Sequence, residues 1–179
     1  ESYVERLAQR GLTRDRGVPY AIGRIVLYVP RDSPLAPDPE LRGLARRLAD
    51  GSAGRIAIAN PEHAPYGRAA RDVLQHADLW DAISPSLVLG ENASQAMQFA
   101  AGGGAQGGIV PWSLTKAPEV AKLGTATLLP AQWHRPLRQK MVLMKSAGPQ
   151  AAAFHAYLGS PEARRIFVRH GFSLPGESG

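Results

Sequence analysis

The stretch "NPEHAPYGRAARDVL", residues 60–74, decides the reading of this chain. It follows the apolar run "RIAIA" directly and holds two prolines and a glycine before an amphipathic helical pattern begins. Pro65 suits the first turn of a helix, where its missing N–H costs nothing. Such a start leaves the N–H groups of Tyr66 and Gly67 at the helix N-terminus, and Gly67 carries no side chain to crowd an incoming ligand. A helix N-terminus carries roughly half a positive charge, so it suits an oxyanion without any cationic side chain.

The pattern repeats outward from that turn. "SLVLGEN" reads as a strand and is followed by a helix from Ala93 to Ala101, with Asn92 as its N-cap and Ala93 exposing a first-turn N–H. Ile22 to Pro30, "IGRIVLYVP", is an apolar, β-branched run expected to be one strand buried on both faces. Leu41, Leu44, Ala45 and Leu48 recur at helical spacing, and "GIVPWS", "ATLLP" and the second half of "RPLRQKMVLMK" read as further strands. A long helical pattern spans Gly148 to His170, with Phe154, Tyr157, Leu158, Ile166 and Phe167 on one side and a break at Ser160-Pro161. Strands alternating with helices predict an α/β fold on a parallel or mostly parallel sheet. In open sheets of that kind, ligands bind beyond the carboxyl ends of the strands.

Composition narrows the chemistry. The 179 residues are 44% hydrophobic and 20% charged, enough for one domain or two small ones. The net charge of +6 favours an anionic partner, but the 21 Lys and Arg are scattered rather than gathered into a basic tract. With no alternating basic and aromatic run, Tyr28, Trp80, Trp112 and Trp133 are read as packing residues, and no nucleic acid is expected. The absence of cysteine excludes disulfides, thiolate metal sites and a Cys nucleophile. The run "GGGAQGG" precedes a strand and lacks the phosphate-loop spacing, so it is read as a connection. Glu62 and His63 are the best candidates for acid–base work, yet an exposed Glu–His neighbour pair is ordinarily solvated or structural, and catalysis is not expected. His76, His134, His155 and His170 show no metal-ligand spacing, and neither a resident metal nor a cofactor is expected.

Three segments, "GRIAIANPEHAPYGRAARDVL", "LWDAISPSLVLGENASQAMQFAAGGGAQGGIVPWS" and "FHAYLGSPEARRIFVRHGF", together resemble the periplasmic molybdate-binding proteins of molybdate ABC importers. The resemblance runs from about Tyr3 to Phe172. It implies a type II periplasmic-binding-protein fold: two α/β lobes, a hinge, and a tetrahedral oxyanion, molybdate or tungstate, held by neutral donors. Carried over by position, the anion contacts fall on the backbone N–H groups of Tyr66 and Ala93, supported by Gly67 and Asn92. A tyrosine hydroxyl used by some members falls on Pro111, which has neither hydroxyl nor N–H, leaving Trp112 or Ser113 as replacements.

The resemblance also sets expectations for the whole chain. Residues 22–145 are expected to form a complete lobe carrying half of the anion site, with 1–21 and 146–179 as pieces of the other. The opening "ESYVERLAQRGL" has neither an initiator Met nor the regions of a signal peptide, so the N-terminal part of the family pattern is expected to be missing. The implied partner is an ABC permease and the implied location periplasmic or otherwise extracytoplasmic. Exposed lobe edges make dimerisation a natural outcome. A sulfate- or phosphate-type binder, an enzyme, and a ligand-sensing domain on the same fold are the alternatives.

Overall fold

A computed structural model describes residues 2–176. Among them the chain order is α1 (Ser2–Gln9), β1 (Val18–Gly23), β2 (Ile25–Pro30), α2 (Arg42–Ala49), β3 (Ile56–Ala59), α3 (Pro65–His76), α4 (Trp80–Ile83), β4 (Leu87–Gly90), α5 (Ala93–Ala101), β5 (Gly107–Pro111), α6 (Trp112–Thr115), α7 (Pro118–Ala121), β6 (Gly124–Leu128), β7 (Leu137–Met141), α8 (Pro149–Leu158) and α9 (Pro161–Arg169). The chain divides into two compact units, one of residues 24–137 and one of residues 1–23 with 138–179. The larger unit lies within the span 22–145 expected for one lobe. Residues 18–23 and 138–141 lie in β1 and β7, which pair with each other, and this pairing draws both segments out of the larger unit.

The larger unit is built on a five-stranded sheet in the order β4-β3-β5-β2-β6. β3 runs parallel to β4 and β5, whereas β2 is antiparallel to β5 and β6. The sheet is thus mixed, where alternation alone pointed to a mostly parallel one. The parallel pairs are joined through α3 and α5, as parallel crossovers require. The single strand expected from Ile22 to Pro30 is two strands that separate at Arg24. Ile22 exchanges backbone hydrogen bonds with Ser173, while the strand from Ile25 joins the large sheet.

Continuous apolar strands need cover on both faces, and alternate residues supply two cores. Ile25, Leu27, Ile56, Ile58 and Ile109 pack with Leu44 of α2 and with Ala70, Val73 and Leu74 of α3. Val26, Tyr28, Ala57, Ala59 and Val110 pack instead with Ala96, Met97 and Ala100 of α5. The helices that follow β3 and β4 therefore lie on opposite faces of the sheet. Trp80 and Trp133 pack against the first core and Trp112 against the second, and Tyr28 is fully buried with its hydroxyl donating to the Val120 carbonyl at 3.1 Å.

In the smaller unit, Tyr20, Phe167 and Phe172 form an aromatic cluster with ring centroids 5.2 and 6.3 Å apart. The long helical pattern is two helices, because Ser160 caps α9 by accepting from the Ala163 N–H at 3.2 Å and Pro161 opens its first turn. The expected apolar side is only partly covered: Phe167 joins the aromatic cluster, whereas Phe154 and Tyr157 of α8 are exposed.

Candidate oxyanion site

The larger unit places two helix N-termini next to each other. Ala59, the last residue of β3, is the register partner of Gly90, the last residue of β4. The Asn60 N–H donates to the Gly90 carbonyl at 2.7 Å, so the two turns leave the sheet side by side. α3 then starts at Pro65 and α5 at Ala93, so both helices begin just beyond these strand ends. Tyr66 and Ala93 occupy their first turns, within one unit and at the carboxyl ends of adjacent parallel strands. Helix N-termini of this kind carry partial positive charge, which suits an anion.

Asn92 acts as the N-cap of α5, its side-chain oxygen accepting from the Gln95 N–H at 2.9 Å. Gln95 reciprocates from the third helical position, its side-chain oxygen accepting from the Glu91 N–H at 2.7 Å. The arrangement resembles a capping box shifted by one residue, since Gln95 reaches the N–H before the N-cap rather than that of Asn92 itself. α3 has no side-chain cap and relies on Pro65 at its first position, with the Ala64 N–H donating to the Asn60 carbonyl at 2.9 Å.

Gly67 also has a packing role. A Cβ there would sit 2.0 Å from the Ala59 carbonyl oxygen, so the glycine lets α3 lie directly on the end of β3. Gly90, not singled out by sequence, is held by the same constraint, since its Cβ would meet the Ala96 nitrogen at 2.5 Å.

Pro111 ends β5, two residues beyond Ile109, the partner of Ile58. It is buried and caps the short helix α6. Of its two possible replacements, Trp112 has its N–H committed to the Arg24 carbonyl at 2.9 Å and its ring under the Lys116 ammonium, 4.2 Å from the ring centre. Glu62 and His63 are directed to different partners. The Glu62 carboxylate lies 3.4 Å from the Arg71 guanidinium, whereas the His63 Nε2–H donates to the Glu91 carbonyl at 2.8 Å. Among the described residues no group of three or more His, Asp and Glu could hold a metal ion, and no helix is long and apolar enough to cross a membrane.

Known proteins share both sequence and fold with this chain. Residues 1–173 match the family described as bacterial extracellular solute-binding protein. The molybdate-binding protein ModA of Rhodobacter capsulatus is 33% identical over 155 residues, covering 86% of this chain and 58% of the relative. ModA of Azotobacter vinelandii is 32% identical over 159 residues, covering 87% of this chain and 60% of the relative. The chain thus spans under two thirds of the length of these curated relatives. The solved Azotobacter vinelandii periplasmic molybdate-binding protein superposes with a TM-score of 0.78 at 29% identity, covering 96% of this chain and 74% of that one. The sulfate-binding protein SubI of Mycobacterium tuberculosis, 12% identical with a TM-score of 0.74 over 98% of this chain and 67% of its own, shares the fold alone. The mixed sheet, the paired helix ends and the match over nearly the whole chain agree, and the protein belongs to the bacterial extracellular solute-binding protein family.

Proposed function

We propose that this chain binds a tetrahedral oxyanion, molybdate or tungstate, outside the cytoplasm and delivers it to the membrane permease of an ABC importer. The observation that carries this reading is the pair of helices that start at Pro65 and Ala93, just beyond the register partners Ala59 and Gly90 that end adjacent parallel strands, in a chain whose relatives are molybdate-binding proteins. The backbone N–H groups of Tyr66 and Ala93 are the donors, Asn92 orients the second helix, Gly67 seats the first, and Pro111 borders the site without donating.

The chemistry follows from neutral, fixed donors. Backbone N–H groups on packed helices cannot follow a smaller anion, so a sulfate that fails to reach one leaves it unpaired at about 1–3 kcal/mol. Size rather than charge then separates molybdate and tungstate from sulfate. Release to a permease breaks hydrogen bonds but no covalent bond, and no acid–base pair is required: on this reading the chain acts as a carrier rather than an enzyme and needs neither cofactor nor nucleic acid.

Thermal unfolding with molybdate, tungstate, sulfate and phosphate at matched ionic strength tests this reading. A ligand bound only by the native state stabilises it by about 2.7 kcal/mol at a hundred times its Kd. A midpoint raised by molybdate and tungstate alone supports the proposal. A larger rise with sulfate or phosphate refutes the ligand, and no rise with any of the four refutes oxyanion binding by this chain.

A further inference from the structure

The two proposed donor turns are tied together at two levels. The first is at their base, where the Asn60 N–H meets the Gly90 carbonyl at 2.7 Å. The second lies three residues beyond Asn60 and one beyond Gly90, where the imidazole of His63, between β3 and α3, donates from Nε2 to the carbonyl of Glu91, between β4 and α5, at 2.8 Å. Glu91 is also held through its own N–H, which donates to the Gln95 side chain, while the Gln95 N–H donates to the Asn92 side chain. On the first turn, the Asn60 side-chain oxygen accepts from the Glu62 N–H at 3.0 Å, which fixes the backbone immediately before His63.

α3 and α5 pack on opposite faces of the sheet, so their N-termini do not set each other's position through direct helix packing. The spacing between the Tyr66 and Ala93 N–H groups is inherited from the turns, and the outer tie on those turns is the His63–Glu91 bond. We propose that His63 is a positioning residue: by clamping the Glu91 carbonyl it fixes the separation of the two helix N-termini and hence the size of anion they accept. This rests on the proposed oxyanion function. The His63 side chain is half exposed and the Glu91 carboxylate, 3.7 Å from Nε2, is largely exposed, so solvent competes with the clamp and its effect is modest.

The test compares wild type with His63→Leu, which removes the donor, and His63→Gln, whose terminal amide N–H reaches about as far as Nε2. Amide hydrogen exchange is followed without ligand at Asn60 and Glu91, with Leu27 in the core as reference, and molybdate, tungstate and sulfate affinities are measured by calorimetry. The expected result for His63→Leu is exchange about fivefold faster at Asn60 and Glu91, unchanged exchange at Leu27, and a molybdate-over-sulfate preference reduced about fivefold, the net value of one partly exposed hydrogen bond. His63→Gln restores both. Unchanged exchange in His63→Leu overturns the clamp, and faster exchange with unchanged affinities overturns its role in positioning. Failure of His63→Gln to restore either readout overturns the hydrogen-bond mechanism. A wild type that binds none of the anions overturns the oxyanion function and this role with it, a pattern distinct from a lost clamp in a protein that still binds.

Discussion

Gly67→Ala probes how α3 is seated and what its end contacts. An added Cβ would lie 2.0 Å from the Ala59 carbonyl oxygen, 2.7 Å from the Ala59 carbonyl carbon and 2.8 Å from the Asn60 carbonyl carbon, all backbone atoms with no rotamer to yield. Real Cβ atoms stay beyond 3.0 Å, so the helix start must move by about 1 Å or the end of β3 must give way. Overpacking of that kind costs about 1–3 kcal/mol, and the better helix propensity of alanine returns at most about 1 kcal/mol, leaving a net loss of roughly 1–2 kcal/mol. The same displacement carries the Tyr66 N–H about 1 Å from its place, enough to break a hydrogen bond to an anion worth about 1.5–3 kcal/mol, or roughly 10- to 100-fold in Kd. Urea unfolding measures the first quantity and calorimetric titration with molybdate the second. Gly103→Ala is the control: with φ at +81° and nothing within 4 Å, it incurs about 1–2 kcal/mol of left-handed strain far from any contact and leaves affinity unchanged. Equal stability of Gly67→Ala and wild type would refute the packing argument. A destabilised variant with unchanged affinity would refute contact between the α3 terminus and the anion.

Other substitutions test neighbouring claims. Tyr66→Pro removes the N–H assigned to the anion and is expected to weaken molybdate binding at least about tenfold; because the Tyr66 ring also packs against the core, Tyr66→Ala, which keeps the N–H, is the stability reference, and equal affinity of the two variants would dismiss the N–H assignment. Asp78 sits at φ +56° just past α3, with its N–H donating to the Gln75 carbonyl at 3.1 Å and the Leu79 N–H to the Leu74 carbonyl at 2.8 Å, the two bonds of a Schellman cap. Asp78→Gly should stabilise by about 0.5 kcal/mol after the unfolded-state entropy is subtracted, read as a shift in urea midpoint. Burial pushes the Asp72 carboxyl pKa upward, but the two-pronged bond from Arg135, with the charges of Arg135 and Arg71, outweighs it and holds the pKa below the ordinary value. A depressed folded-state pKa means that this contribution is present above the unfolded-state carboxylate pKa and is lost as pH falls through the folded one. Asp72→Asn should therefore flatten the acid limb of the stability profile below about pH 4, and an unaltered limb would show that the pair contributes nothing.

Most of the local structure around the site was legible in the residues. "NPEHAPYG" starts a helix at Pro65 because proline tolerates only the first turn, and "GENASQ" starts one at Ala93 because the Asn92 side chain accepts from the Gln95 N–H while the Gln95 side chain accepts from the Glu91 N–H. These are contacts between residues a few positions apart, which periodicity and capping rules can see. The break at Gly23-Arg24 was not legible, because Ile22 and Ile25 are equally apolar and only their distant partners, Ser173 and Pro111, tell them apart. The antiparallel placement of β2 between β5 and β6 escaped for the same reason: strand direction is set by pairing across the chain, which no local pattern records.

The sequence by itself determined most of the helical and strand segments around the site, where the two candidate helices begin, and which family the chain resembles, since each rests on short-range backbone preferences or on an ordered series of motifs. Only the tertiary structure decided that those two termini are neighbours. That follows from the Ala59–Gly90 register, from glycines 67 and 90 letting their helices lie against carbonyl and amide groups, and from His63 reaching a carbonyl 28 residues away. A site made of backbone N–H groups leaves little trace in side-chain identity, so its donors can be placed only when the chain is folded around them.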